Sequence, residues 1–101
     1  KRVLIRALGP ELTKRQVSDP MPDPYMVLYD SSGPVAANDD WESEFTFKMR
    51  EAFKQVGASQ LDEESKDAAM VRELQPGRHT VIVNDFNYTS GIVLIEIFEL
   101  P

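Results

Sequence analysis

The sequence predicts a mainly β fold: an antiparallel β-sandwich with one amphipathic helix inserted at about residues 42–56. Three observations carry this. Short runs rich in β-branched and aromatic residues recur along the chain, each stopped by a Pro/Gly/Ser turn. Only one window, Glu42–Val56, has strong helical periodicity. The chain closes on two apolar runs separated by Asn87-Tyr88-Thr89-Ser90-Gly91, the pattern of an antiparallel hairpin.

Val3-Leu4-Ile5-Arg6-Ala7-Leu8 reads as a strand stopped by Gly9-Pro10, with Arg6 on the face opposite Ile5 and Ala7. Glu11–Asp19 is polar and long enough for one helical turn. Asp19-Pro20-Met21-Pro22-Asp23-Pro24 then forces an extended connector, because proline donates no hydrogen bond and disfavours helix before it. Tyr25–Asp30 and Val35-Ala36-Ala37 flank the turn Ser31-Ser32-Gly33-Pro34 and form a second predicted hairpin.

In the helical window, Phe45, Met49, Ala52, Phe53 and Val56 fall on one stripe. Asp39 or Asp40 suits its positive end, and Gly57 suits its end. Phe47 lies off the stripe. Ala58–Asp67 is a polar loop. Ala68–Leu74 fits helix or strand equally well by itself, before the turn Gln75-Pro76-Gly77. His79–Asn84 and Ile92–Phe98 are the closing strands. The predicted core is Ile5, Met26, Leu28, Trp41, Phe45, Met49, Phe53, Val81, Val83, Val93, Ile95 and Ile97.

The chain has 101 residues, so one domain 1–101 is expected, with enough surface to bury a core without staples. Its 17 acidic against 11 basic residues give a net charge of −6, which argues against a nucleic-acid surface. Cysteine is absent, which removes disulfides, thiolate metal sites and a cysteine nucleophile. No apolar run approaches the ~20 residues that span a membrane.

The residue types present are compatible with four chemistries. Asp30, Asn38, Asp39 and Asp40, with Asp23 as an added donor, offer the hard oxygens calcium takes, although their spacing is not that of an EF-hand loop. The competing reading has Asp39 and Asp40 capping the helix while Asp30 and Asn38 satisfy turn amides. Tyr25, Tyr29 and Tyr88, with Phe86 and Trp41, would stack on sugar rings if exposed together, but Trp41 is better placed as core. His79, the only histidine, follows a turn and has no serine and acid at triad spacing, so no catalytic residues are assigned. Ile92–Phe98 is apolar on both faces, more than a solvated sandwich strand needs, so the helix or another protein must cover its second face.

Taken in order, several segments carry a resemblance: Leu4-Ile5-Arg6-Ala7-Leu8-Gly9-Pro10-Glu11-Leu12, Asp23-Pro24, Leu28-Tyr29-Asp30-Ser31-Ser32-Gly33, Asn38-Asp39-Asp40-Trp41, Leu74-Gln75-Pro76-Gly77, Thr80–Val83 and Gly91–Leu100. Together they resemble a small bacterial β-sandwich module of large secreted and cell-surface proteins. More loosely they are similar to the jelly-roll pre-peptidase C-terminal domain.

The resemblance implies a strand at Ala68–Leu74, an extracytoplasmic location and no shared catalytic activity. It implies an accessory or structural role, with other protein subunits or the parent polypeptide as partners. Such modules carry a further strand or two before the position of Lys1, so the chain is expected to be part of something longer, with a sheet edge left unpaired. The helix is also bulkier than such modules have, which points to specific packing. The function expected is a non-catalytic assembly module. The alternative is a calcium-stabilised carbohydrate-binding module, with polysaccharide as partner.

Overall fold

Alternation along the first strand decides the layering. Val3, Ile5 and Ala7 face one apolar cluster, and Leu4, Leu8 and the Arg6 stem face another, so a single central strand is buried on both sides. The computed structural model describes Lys1–Pro101. Its strands are β1 (Arg2–Leu8), β2 (Pro24–Asp30), β3 (Gly33–Asn38), β4 (Ala68–Glu73), β5 (Thr80–Asp85) and β6 (Leu94–Glu99), with helix α1 (Thr46–Val56) and 3-10 turns at Pro10–Arg15 and Trp41–Ser43. Two antiparallel sheets form, in the orders β4-β1-β6 and β3-β2-β5.

One cluster lies between the sheets: Val3, Ile5, Ala7, Met26, Leu28, Ala68 and Met70, with Val81, Val83 and Val93 half-buried beside them. On the other face of β4-β1-β6, α1 lays Met49, Ala52 and Phe53 onto Leu4, Leu8, Ala69 and Trp41. The result is sheet, sheet, helix. Trp41 and Phe53 are wholly buried with ring centroids 5.6 Å apart, and burying each side chain stabilises the fold by about 1.5–3 kcal/mol.

The β2–β3 hairpin forms as the turn residues predict, with a register shift between Leu28 and Tyr29. Ala68–Glu73 is a strand. The expected closing hairpin does not form. β5 pairs with β2, whereas β6 pairs with β1 in the other sheet. The intervening chain is held instead by the proline connector. Ile92 N–H donates to Asp19 O at 2.9 Å, and Met21 N–H donates to Ile92 O at 2.7 Å. Gly9 and Gly91 both press on the Met21 backbone, where a Cβ would overlap main-chain atoms, so the connector runs clamped between two chain turns.

Three expected core residues lie outside. Phe45 is 79% exposed because the helix begins at Thr46 and Phe45 precedes it in extended conformation. The chain from Trp41 to Ser43 makes a 3-10 turn instead, which drives the indole inward, where its Nε1–H donates to Asp62 O at 3.1 Å. Phe47 is exposed as well. Ile95 and Ile97 face the inter-sheet side yet are 41% and 61% exposed. Their strand lies at the edge of its sheet, and the second sheet lies over β1 and β4 without covering them.

Candidate functional site

The β2–β3 hairpin brings the start of β2 beside the exit of β3. Met26 pairs with Asn38, so two residues further out the Asp23-Pro24 pair approaches Asp39-Asp40. One carboxylate oxygen from each of Asp23, Asp39 and Asp40 lies within 4.8 Å of the others. Asp23 is held rigidly. Its N–H donates to Asp85 Oδ1 at 2.9 Å, and its carbonyl accepts from Phe86 N–H at 2.7 Å.

The Asp23 side chain is buried, and its Oδ1 has no hydrogen-bond partner. Lys66 Nζ stands 3.8 Å from Oδ2. Burial pushes the Asp23 carboxyl above its ordinary value; Lys66 pulls it back, while Asp40, Asp39 and Asp85 push it further up. Asp40 is likewise raised, by burial and then by Asp39.

The sequence-derived donor set changes accordingly. Asp39 and Asp40 belong to the cluster, and so does Asp23, the added donor. Asp30 does not: it lies at the turn end of the hairpin, about 20 Å away at the rise of an extended strand. Its Oδ1 accepts from the Ser32 amide and hydroxyl, which holds its carboxyl below the usual range. Asn38 is consumed structurally. Its Nδ2 donates to Asp40 O at 3.0 Å and Ser43 Oγ at 2.9 Å, and its Oδ1 accepts from Ala69 N–H at 3.0 Å. The helix-capping reading fails too, since neither aspartate side chain caps α1 or the turn at Trp41.

Of the sugar-stacking candidates, Tyr25 stacks on Phe86 at 6.1 Å with 16° between planes. Both line a hollow of about 500 Å3 with Val27, Asn84, Asp85 and Tyr88. Tyr88 is 94% exposed, Tyr29 lies outside the hollow, and Trp41 is core. Asp85 braces the hollow: burial alone would raise its carboxyl, but hydrogen bonds from Thr89, Asn87 and Asp23 hold it below the usual range. His79 lines two adjoining hollows, one with Lys1, Val3, Leu74 and Pro76 and one with Leu28, Asp30, Val35 and Glu73, and no serine lines either of them.

A third feature is the free edge of β6. Leu100 N–H donates to Arg2 O at 2.8 Å, which sets the phase of the ladder. Even-numbered residues of β6 therefore bond to β1, and the N–H and C=O groups of Ile95, Ile97 and Glu99 point away from the sheet. The same strand edge carries the exposed Ile95 and Ile97 side chains. Sequence reasoning found both faces of this strand apolar. It missed which face stays open, because that depends on how far the second sheet reaches.

Sequence reasoning also missed Asp67, which is 1% exposed and accepts from Gly9 N–H at 2.7 Å and Glu11 N–H at 3.1 Å. No helix is long and apolar enough to cross a membrane. Set against protein-family models, curated proteins and solved structures, the chain matches none of them.

Proposed function

We propose that this chain is a non-catalytic, extracytoplasmic assembly module that joins protein subunits by strand addition at β6. The observation that carries the reading is the β6 edge: outward N–H and C=O groups at Ile95 and Ile97, with half-exposed isoleucines on the same strand. An added strand would complete the hydrogen-bond ladder and bury both side chains. The resemblance to secreted β-sandwich modules supports the same role and location.

The strand is also self-complementary. In an antiparallel pair of two β6 strands centred on Glu96, Ile95 meets the partner's Ile97 and Leu94 meets the partner's Phe98. The two facing Glu96 carboxylates each keep Arg6 at 3.0 Å and Arg15 at 3.9 Å to offset their repulsion. Sedimentation across a concentration series tests this. The expected result is a reversible dimer that Ile97→Pro abolishes, since proline removes an outward N–H without touching the β1 ladder. A chain that stays monomeric at millimolar concentration, or a dimer indifferent to Ile97→Pro, overturns homotypic pairing.

A second reading, a carbohydrate-binding module, has its own observation in the Tyr25–Phe86 stack beside exposed Tyr88. Polysaccharide pull-down that weakens with Tyr25→Ala and Tyr88→Ala supports it; retention unchanged by both substitutions removes it.

A further inference from the structure

We propose that Asp23, Asp39 and Asp40 form a binding site for one hard divalent cation, calcium by the chemistry of its donors. The cluster alone would not carry this, because exposed acids gather on any acidic protein. The decisive observation is Asp23. It is 6% exposed, its main chain is pinned on both sides, and its Oδ1 is enclosed without a hydrogen-bond partner, although burying an unsatisfied carboxylate oxygen is costly.

Three carboxylates converge where only one ammonium, that of Lys66, stands close, 3.8 Å from Asp23 Oδ2. Lys66 is itself exposed and free to swing into solvent. Asp85, the fourth acid near Asp23, spends its oxygens on the backbone amides of Asp23, Asn87 and Thr89, so it belongs to the frame rather than to the donor set. A cation held by the three carboxylates would supply the charge and the coordination that the buried Asp23 carboxylate lacks.

The donors select the metal. All are oxygens, with no imidazole or thiolate, which suits calcium or magnesium rather than zinc or copper. Oxygens bound to one calcium at about 2.3–2.6 Å sit up to about 5 Å apart across the ion, so a cluster drawn together within 4.8 Å can close on it without rearranging the hairpin. Magnesium requires a tighter, near-ideal octahedron at about 2.0–2.1 Å. Three carboxylates leave coordination positions for water. A hollow of about 390 Å3, lined by Asp40, Glu42 and Ser43 on one side and Glu64, Ser65 and Lys66 on the other, opens beside Asp40 to admit it.

The site also has a structural consequence. It would tie the proline connector before β2 to the exit of β3, fastening the open end of the hairpin where Trp41 enters the core. This stands apart from strand addition at β6 and holds whether or not that edge pairs.

Isothermal titration with calcium chloride, beside magnesium chloride and sodium chloride at equal ionic strength, tests the proposal. The expected result is one calcium per chain with Kd of about 10⁻⁴–10⁻³ M, the range of extracellular modules, and a melting temperature that rises as the site fills. Asp39→Asn with Asp40→Asn, both at solvent-accessible positions, should weaken calcium at least tenfold and remove that rise, with the circular dichroism unchanged. Asp30→Asn should leave both intact. Absence of calcium binding up to about 10 mM, a rise matched by sodium, or an affinity unchanged in the double variant overturns the site.

Discussion

The Arg6 guanidinium, on a fully buried side chain, donates from Nε to Glu96 at 3.0 Å and lies 4.8 Å from the centre of the Phe53 ring. The two residues are 90 apart in sequence and directly paired across β1 and β6. Arg6 also donates to Ser59 O at 2.5 Å and Ser59 Oγ at 3.0 Å. Burial lowers its pKa, and Glu96 opposes that shift. One side chain thus joins the central strand, the edge strand, the helix and the loop after it.

Removing that charge should be among the most damaging single changes in the chain. Arg6→Ala leaves Glu96 without its buried partner and opens a void over Phe53, for an expected loss of about 3–5 kcal/mol in urea unfolding. Arg6→Met, which fills the space without the charge, should recover part of that loss.

Asp67 fastens the start of β4 to the end of β1. Asp67→Ala strands the Gly9 and Glu11 amides, and each buried unsatisfied donor costs about 1–3 kcal/mol. A loss of about 3 kcal/mol by chemical denaturation is expected, with faster hydrogen exchange at Gly9 and Glu11. Exchange unchanged at those amides would contradict the clasp.

Ile97 separates stability from association. Because it is 61% exposed, Ile97→Lys should change the unfolding free energy by no more than about 0.5 kcal/mol, whereas Phe53→Ala should cost about 3–5 kcal/mol. A large loss of stability in the Ile97→Lys monomer would mean that the strand edge is already covered within the chain.

Acid should act in two opposite steps when calcium is chelated. Asp23 and Asp40 are raised in the folded state, so the fold binds their protons more tightly than the unfolded chain does, and stability rises as pH falls from neutrality towards the unfolded carboxylate value of about 3.9. Asp30, Asp85 and Glu99 are lowered, so the stability they contribute is present above that value and is lost as pH falls through their folded values. Melting scans in chelator should show a maximum in mild acid, which Asp23→Asn flattens. A melting temperature that falls monotonically from pH 7 would contradict this ordering.

Local patterning in the sequence determined the class of the fold and most of its parts. Period-two runs marked the strands, the Ser31–Pro34 turn set the first hairpin, and the stripe through Met49, Ala52 and Phe53 marked the buried helix face. These signals are legible because each element's own periodicity shows which residues turn away from water. What the tertiary structure decided is everything that depends on partners distant in sequence. It split β5 and β6 between two sheets, because the proline connector holds the chain between them. It left Phe45 and Ile97 in solvent despite their hydrophobicity, because burial requires a surface opposite, and the turn at Trp41 and the reach of the second sheet supply none. It also moved the acidic site. Asp23 and Asp30 stand at opposite ends of β2, so Asp30 left the cluster, while Asp23, just before the strand, stayed beside Asp39 and Asp40 at the exit of β3.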